Sequence, residues 1–363
     1  MAMMMSQIRQ RVAACPPAVS THLARIFDID VTHGAAVVPA TMEEWAARQF
    51  GALDAVRDQL IVRITNRYTL EASIFNPLRA ARPAQGRSSD AAIDAWVAVE
   101  LASFNPFADP LRDTPANAFG RIVGRHSISA ANVAQFAEHH GLVIFDAAHP
   151  LHFDHARLAD AFDVARRWFL AAHAHDPGAT VPVLVWNCLP RSGASLAHGH
   201  MQLVLHRGMP YARREAWRRA EVLYQAHGDY LTTLAAVHQA LDLAIPMPGA
   251  TVFAHLTPLR AHELVGLLEP PPFDDDDAGD YLADVIAPLL QRLIARCGTR
   301  SFNLALAFPP LRQGELVWPS RYTILRIGDR GDALATRNDW AAMELYATGC
   351  IATDPFHTAA QLR

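Results

Sequence analysis

The chain has 363 residues, of which 51% are hydrophobic and 19% charged, with a formal net charge of -4. That length supports a large core and roughly two domains, or one duplicated unit. The weakly acidic balance excludes a non-specific nucleic-acid binder, and no stretch approaches the ~20 apolar residues of a membrane span.

The N-terminus, M-A-M-M-M-S-Q-I-R-Q-R-V-A-A-C, is too short in apolar residues for a secretory signal. Residues 1–60 read as a helical extension, with Thr41 capping M-E-E-W-A-A-R-Q-F. Strand-like runs follow at 60–65, 70–75 and 95–104, the last two separated by a turn-rich surface loop, R-P-A-Q-G-R-S-S-D. His139 and His140 precede a further strand, G-L-V-I-F, and one of them is expected to be structural only. A helix over 154–173 is marked by Leu158, Phe162, Ala165, Phe169 and Ala172 at helical spacing. The strand V-P-V-L-V-W-N comes next, then a small-residue turn and a histidine-bearing strand.

The second half has a similar character without a second histidine pair. Residues 213–243 read as helical, A-T-V-F-A-H-L as a strand and 281–296 as a helix, and F-N-L-A-L-A-F and Y-T-I-L-R-I complete the strands. The acidic run Asp274–Asp277 is most simply a solvated loop. The four cysteines, Cys15, Cys188, Cys297 and Cys350, form no C-x-x-C pair. A disulfide framework and a cysteine-rich zinc site are therefore disfavoured. The expectation is a globular cytoplasmic protein of the α+β class. Its two related halves, 61–210 and 211–363, would each hold a mainly antiparallel sheet flanked by helices.

Chemistry concentrates in N-C-L-P-R-S-G-A-S-L-A-H-G-H-M-Q-L-V-L-H, from Asn187 to His206. In an extended strand His198, His200 and Gln202 share one face, while Met201, Leu203 and Leu205 point into a core. A neutral imidazole, with its ordinary pKa of about 6.5, is a competent nucleophile near neutrality. Attack on a phosphoryl group would give a phosphoramidate that splits one displacement into two easier ones. The other ring nitrogen must then donate to a fixed acceptor, such as a backbone carbonyl two residues earlier or a second histidine. Gln202, Ser195 and the amides around Gly193 can donate to phosphate oxygens without adding charge. The small Gly193–Ala194 turn lets backbone approach a phosphate. Arg79 and Arg82 suit phosphate by their forked geometry, the alternative being a solvated basic pair. An isolated His-x-His is more often a packing pair, and it can also be a metal pair. Asn, G-x-S, His-x-His and Gln together within sixteen residues point to catalysis instead.

This stretch resembles the active-site signature of the galactose-1-phosphate uridylyltransferase branch of the histidine-triad superfamily: an Asn, then G-x-S, then H-P-H-x-Q. F-N-P-L-R-A-A-R-P (75–83), H-G-L-V-I-F-D-A-A-H (140–149) and F-A-H-L-T-P-L (253–259) resemble further segments of that branch, in the right order. The resemblance covers about residues 70–260. It implies a histidine-triad-like fold and a nucleotidyltransferase acting at the α-phosphate of a nucleotide. It further implies His200 as the nucleophile, His198 as the residue whose carbonyl orients it, and Gln202 and Ser195 as phosphoryl contacts. Asn187 and Gly193 would complete the binding loop, and Arg79 and Arg82 would bind phosphate.

Departures from the pattern narrow the reading. Gly199 stands where the branch has proline, which is expected to loosen the backbone. Only His149 and His198 match the branch's C-x-x-C-plus-two-histidine zinc site, so structural zinc is expected to be absent and no cofactor required. Phe253 replaces one histidine of the second-half metal site, and the sugar-contacting residues after Leu259 do not match. The expected donor is a nucleotide sugar or dinucleoside polyphosphate, and the expected acceptor is phosphate or a sugar phosphate. No nucleic-acid or membrane partner is expected, and a homodimer is compatible with the resemblance. The alternatives are the uridylyltransferase proper, a hydrolase of the superfamily and a non-catalytic nucleotide-binding protein.

Overall fold

Period-two alternation of apolar side chains runs through much of this chain, and it builds two sheets. The computed structural model describes residues 4–80, 86–209, 211–271, 273, 275–312, 317–319, 321–336 and 342–363. In chain order the strands are β1 (Phe27–Ala35), β2 (Asp58–Asn66), β3 (Ala72–Phe75), β4 (Ser127–Ala131), β5 (His139–Phe145), β6 (Val181–Cys188) and β7 (His200–His206). Then come β8 (Ala244–Met247), β9 (Ala250–Ala254), β10 (Ala261–Leu268), β11 (Phe302–Ala307), β12 (Thr323–Asp329) and β13 (Thr348–Ile351). Nine of them form one antiparallel sheet in the order β4-β5-β7-β6-β11-β12-β10-β9-β8. The other four form a sheet ordered β1-β2-β3-β13, with β13 parallel to β3.

The α+β class and the predominance of antiparallel strands are as expected, but the halves do not each keep a sheet. Strands β6 and β11 pair edge to edge, from Phe302↔Cys188 to Ala307↔Val183, and fuse four strands of the first half with five of the second. An open strand edge is a row of unpaired backbone donors and acceptors, and this join removes one from each half. The helices His155–His175 and Ala278–Cys297 pack on each other and on one face of the large sheet. Their approach is close at Gly279, where a Cβ would stand 2.8 Å from the Ala159 carbonyl oxygen. Met201, Leu203 and Leu205 are fully buried in the main core, whereas Leu142 and Ile144 belong to a separate small cluster with Phe107 and Ala130.

Three local expectations are corrected. Residues 1–60 are not uniformly helical, because F-D-I-D-V-T-H-G-A alternates Phe27, Ile29 and Val31 and pairs as β1 with β2. The run 95–104 is not a strand but part of the helix Asp90–Ser103. Ser89 caps that helix by accepting from the Ala92 amide, and Ile93 and Val97 bury at i, i+4 spacing. The stretch 213–243 is two helices, Ala212–Tyr224 and Tyr230–Ala240, broken at Gly228 with φ +116° and restarted by the Asp229 cap. Among the described residues no helix is long and apolar enough to cross a membrane.

Candidate active site

Strand β7 opens on His200, and its neighbours fix the surroundings of that ring. β5 sets Ile144 opposite His200 and Leu142 opposite Gln202. On the other side β6 sets Val185 opposite Gln202, and the same register carried two residues further brings Asn187 level with His200. β11 then places Asn303 beside Asn187. His200, Gln202, Asn187 and Asn303 thus share the sheet face turned away from the helix pair.

His200 is buried, and its Nδ1 lies 2.8 Å from the His198 carbonyl oxygen. A carbonyl can only accept, so Nδ1 carries the proton and the lone pair sits on Nε2. Nε2 has no hydrogen-bond partner among the described residues. Burial pulls the His200 pKa below the ordinary value and favours a neutral ring, against a smaller upward pull from the bond to the His198 carbonyl. His198 is also shifted down by burial; its Nε2 donates to the Phe145 carbonyl at 2.9 Å. With the proton there, Nδ1 of His198 is an acceptor and lies 3.1 Å from Asn105 Oδ1, so the Asn105 amide must be turned over for its NH2 to donate to that nitrogen. Phe107 stands edge-on to both rings, at 5.9 Å from His198 and 5.1 Å from His200.

Gly199 is pinned rather than loose. Its amide donates to the Ala148 carbonyl at 2.9 Å, and its own carbonyl accepts from the Phe145 amide at 3.0 Å. A Cβ there would meet Phe145 Cδ2 at 2.8 Å and the Ala147 carbonyl oxygen at 3.2 Å. Proline could neither donate that hydrogen bond nor fit, so glycine is the residue this close approach requires.

The loop before β7 supplies the remaining predicted groups. Gly193 has φ +99° and open space where a Cβ would be, so its backbone is accessible and its conformation favours glycine. Ser195 is exposed on this loop. Asn187 Oδ1 accepts from Asn303 Nδ2 at 2.7 Å, and the same NH2 group donates to the Ser192 carbonyl at 2.8 Å, tying loop to sheet. Beside the turn lies a cavity of about 550 Å³ lined in part by Trp96, Arg191, Ser192, Gly193 and Arg330. Gln202 Oε1 lies 3.0 Å from His140 Nε2. Arg79 is exposed at the end of the short helix Pro77–Ala80, which follows β3 of the four-stranded sheet. Arg82 lies outside the described residues.

The two histidines that match the branch's zinc ligands, His149 and His198, lie in different surroundings. His198 uses both ring nitrogens on Phe145 and Asn105, and the Cys188 thiol faces the Arg300 carbonyl at 3.8 Å. His149 converges instead with Asp94 and His152, whose ligand atoms lie within 4.8 Å of one another. Its ring stacks on that of His152 at 4.1 Å with 19° between planes, and its Nε2 lies 3.3 Å from Asp94 Oδ1. In the second half, Phe253 lies against His238 at 4.1 Å, and His255 Nε2 faces Glu71 and Thr257.

Sequence reasoning missed Asn105, Phe107 and Asn303. Asn303 was detectable, since in F-N-L-A-L-A-F it alternates against the buried Phe302 and Leu304. Asn105 and Phe107 carry no such signal, because only folding brings their loop over the histidines.

Comparison with protein-family models and with curated protein sequences gave no match. Solved structures do match. An ADP-glucose phosphorylase from Arabidopsis thaliana with bound ADP-glucose superposes with a TM-score of 0.62 at 16% identity, over 80% of this chain and 94% of its own. A GalT-like protein from the same plant gives 0.58 at 14% identity, over 72% and 92%. A uridylyltransferase gives 0.55 at 16% identity, over 69% and 87%. The chain thus shares its fold with this ADP-glucose phosphorylase, this GalT-like protein and this uridylyltransferase.

Proposed function

We propose that this protein is a nucleotidyltransferase of the phosphorylase type, working through a nucleotidyl-His200 intermediate. The observation that carries the reading is the 2.8 Å bond from His200 Nδ1 to the His198 carbonyl, which leaves the Nε2 lone pair toward the polar sheet face. Nε2 attacks the α-phosphorus of a nucleotide sugar or dinucleoside polyphosphate; the P–N bond forms as the P–O bond to the leaving phosphate breaks. Phosphate or a sugar phosphate then attacks the same phosphorus, the P–N bond breaks, and the neutral imidazole returns. Gln202, Ser195 and the Gly193 loop amides stabilise the phosphoryl oxygens. Asn187 and Asn303 hold that loop against the sheet.

Incubating the protein with α-labelled nucleotide sugars and dinucleoside polyphosphates tests this. Label is expected on His200, acid-labile as a phosphoramidate, and absent from His200→Asn. Phosphate or sugar phosphate is expected to speed its release. Release by water alone would favour a hydrolase, and a wild type that takes no label from any donor would favour a nucleotide-binding protein.

A further inference from the structure

The mechanism needs Gln202 to offer a donor, yet an amide side chain presents its oxygen as readily as its nitrogen. Something must set the flip. The residue in position to do so is His140 on β5, fully buried, with Nε2 3.0 Å from Gln202 Oε1. Resting on the reading above, we propose that His140 is the positioning residue for Gln202. Its Nε2–H holds the Gln202 carbonyl oxygen, turning the amide NH2 toward the phosphoryl group at His200.

Three observations bear on where the His140 proton sits. Nδ1 of His140 is buried and has no partner. A buried N–H without an acceptor is rarer in proteins than an under-used acceptor, so the proton belongs on Nε2. Burial also lowers the His140 pKa, which keeps the ring neutral with one proton to place. The third observation is a competitor. The Asn132 NH2 group lies 3.1 Å from the same Nε2, and Asn132 cannot flip freely because its Oδ1 accepts from the Ala134 amide at 3.0 Å. Nε2 therefore faces two neighbours with opposite demands. A bare Nε2 would accept from Asn132 and leave a buried Nδ1–H stranded. A protonated Nε2 satisfies Gln202. Phe136, with its centroid 4.0 Å from the His140 ring, holds the imidazole in this position.

The geometry also fixes direction. Gln202 and His200 are two residues apart on one strand face, and His140 is on the adjacent strand two residue pairs beyond Gln202, opposite Val204 on that same face. With its oxygen held on the His140 side, the Gln202 amide nitrogen is the atom left for the substrate.

The test is a double-mutant cycle on the rate of label transfer to His200, with His140→Phe preserving the ring and removing the N–H. His140→Phe is expected to slow label transfer by roughly 10- to 100-fold, short of the ~10²–10³ that losing a donor outright costs. In a Gln202→Ala background the same change should slow it no further, and His140→Gln, whose NH2 can reach the same oxygen, should recover part of the rate. Multiplying effects, or a wild-type rate for His140→Phe, would overturn the proposal. ¹⁵N spectra of histidine-labelled protein give a second readout that needs no turnover. An Nε2–H tautomer is expected at His140, identified by its loss in the His140 variant, and an Nδ1–H tautomer would refute the proposal. Should the wild type take no label, the functional reading fails, while the tautomer still decides the positioning claim.

Discussion

At position 199 a hydrogen atom is all the fold can accommodate. Adding a Cβ would push on the Phe145 ring and on two backbone segments at once, and overpacking of this kind costs about 1–3 kcal/mol. Gly199→Ala is therefore expected to lower stability by that amount in urea denaturation. Gly199→Pro should lower it further, because it also deletes the donor to Ala148. Both changes should depress label transfer to His200, since the peptide they disturb carries the His198 carbonyl that accepts the hydrogen bond from His200 Nδ1. This residue shows where sequence reading stops. The roles proposed for His198, His200 and Gln202 were legible from alternation on a strand. Whether a glycine between two histidines is slack or tightly held depends on Phe145, Ala147 and Pro150, which no local pattern brings there.

Among the elements, the segment leading into β3 meets the second half through buried charge. Glu71, just before β3 and 2% exposed, accepts from the Trp217 indole at 3.1 Å and pairs with Arg326 of β12, which also pairs with Glu263 of β10. Burial alone would raise the Glu71 pKa, but the Arg326 guanidinium and His255 hold it well below the usual carboxylate range. Removing one partner from a buried ion pair typically costs about 3–5 kcal/mol. Glu71→Gln, retaining shape without charge, is expected to lose about 3 kcal/mol, read as a shift in urea midpoint. Loss of less than ~1 kcal/mol would mean that Glu263 alone satisfies Arg326. No sequence signal marked Glu71, because its partners come from elements far along the chain. By contrast, the helix His155–His175 was plain from its apolar stripe, a purely local property.

Across the whole molecule, buried imidazoles set the response to acid. Burial lowers the pKa of His140, His149, His198, His200 and His206, and takes His262 to about 4 and His238 to about 3. An unfolded histidine titrates near 6.5. Below that pH the unfolded chain binds protons the folded chain refuses, so stability is complete above about pH 6.5 and falls as pH drops through 6 and 5. The His262 and His238 contributions keep growing to about pH 4 and pH 3. The Glu71 and Glu215 carboxylates, both lowered by arginine partners, add their loss only below about pH 4.5. Urea midpoints from pH 8 to 4 should thus be flat to about 6.5 and then decline. A decline confined below pH 4.5 would contradict the neutral, buried histidines. Class and antiparallel character were legible at this scale, but the fusion of the halves was not: V-P-V-L-V-W-N reads the same whether its outer edge meets water or β11.

That fusion also bears on how the chain is made. β6 leaves the ribosome with one edge bare, and its partner β11 is synthesised roughly a hundred residues later, on the order of 10 s at ordinary elongation rates. Over that interval an apolar strand carrying Val183 and Val185 offers its backbone to any passing extended peptide. The nascent first half is the stage at which this protein is most vulnerable to misassembly, and the stage at which a chaperone would matter most.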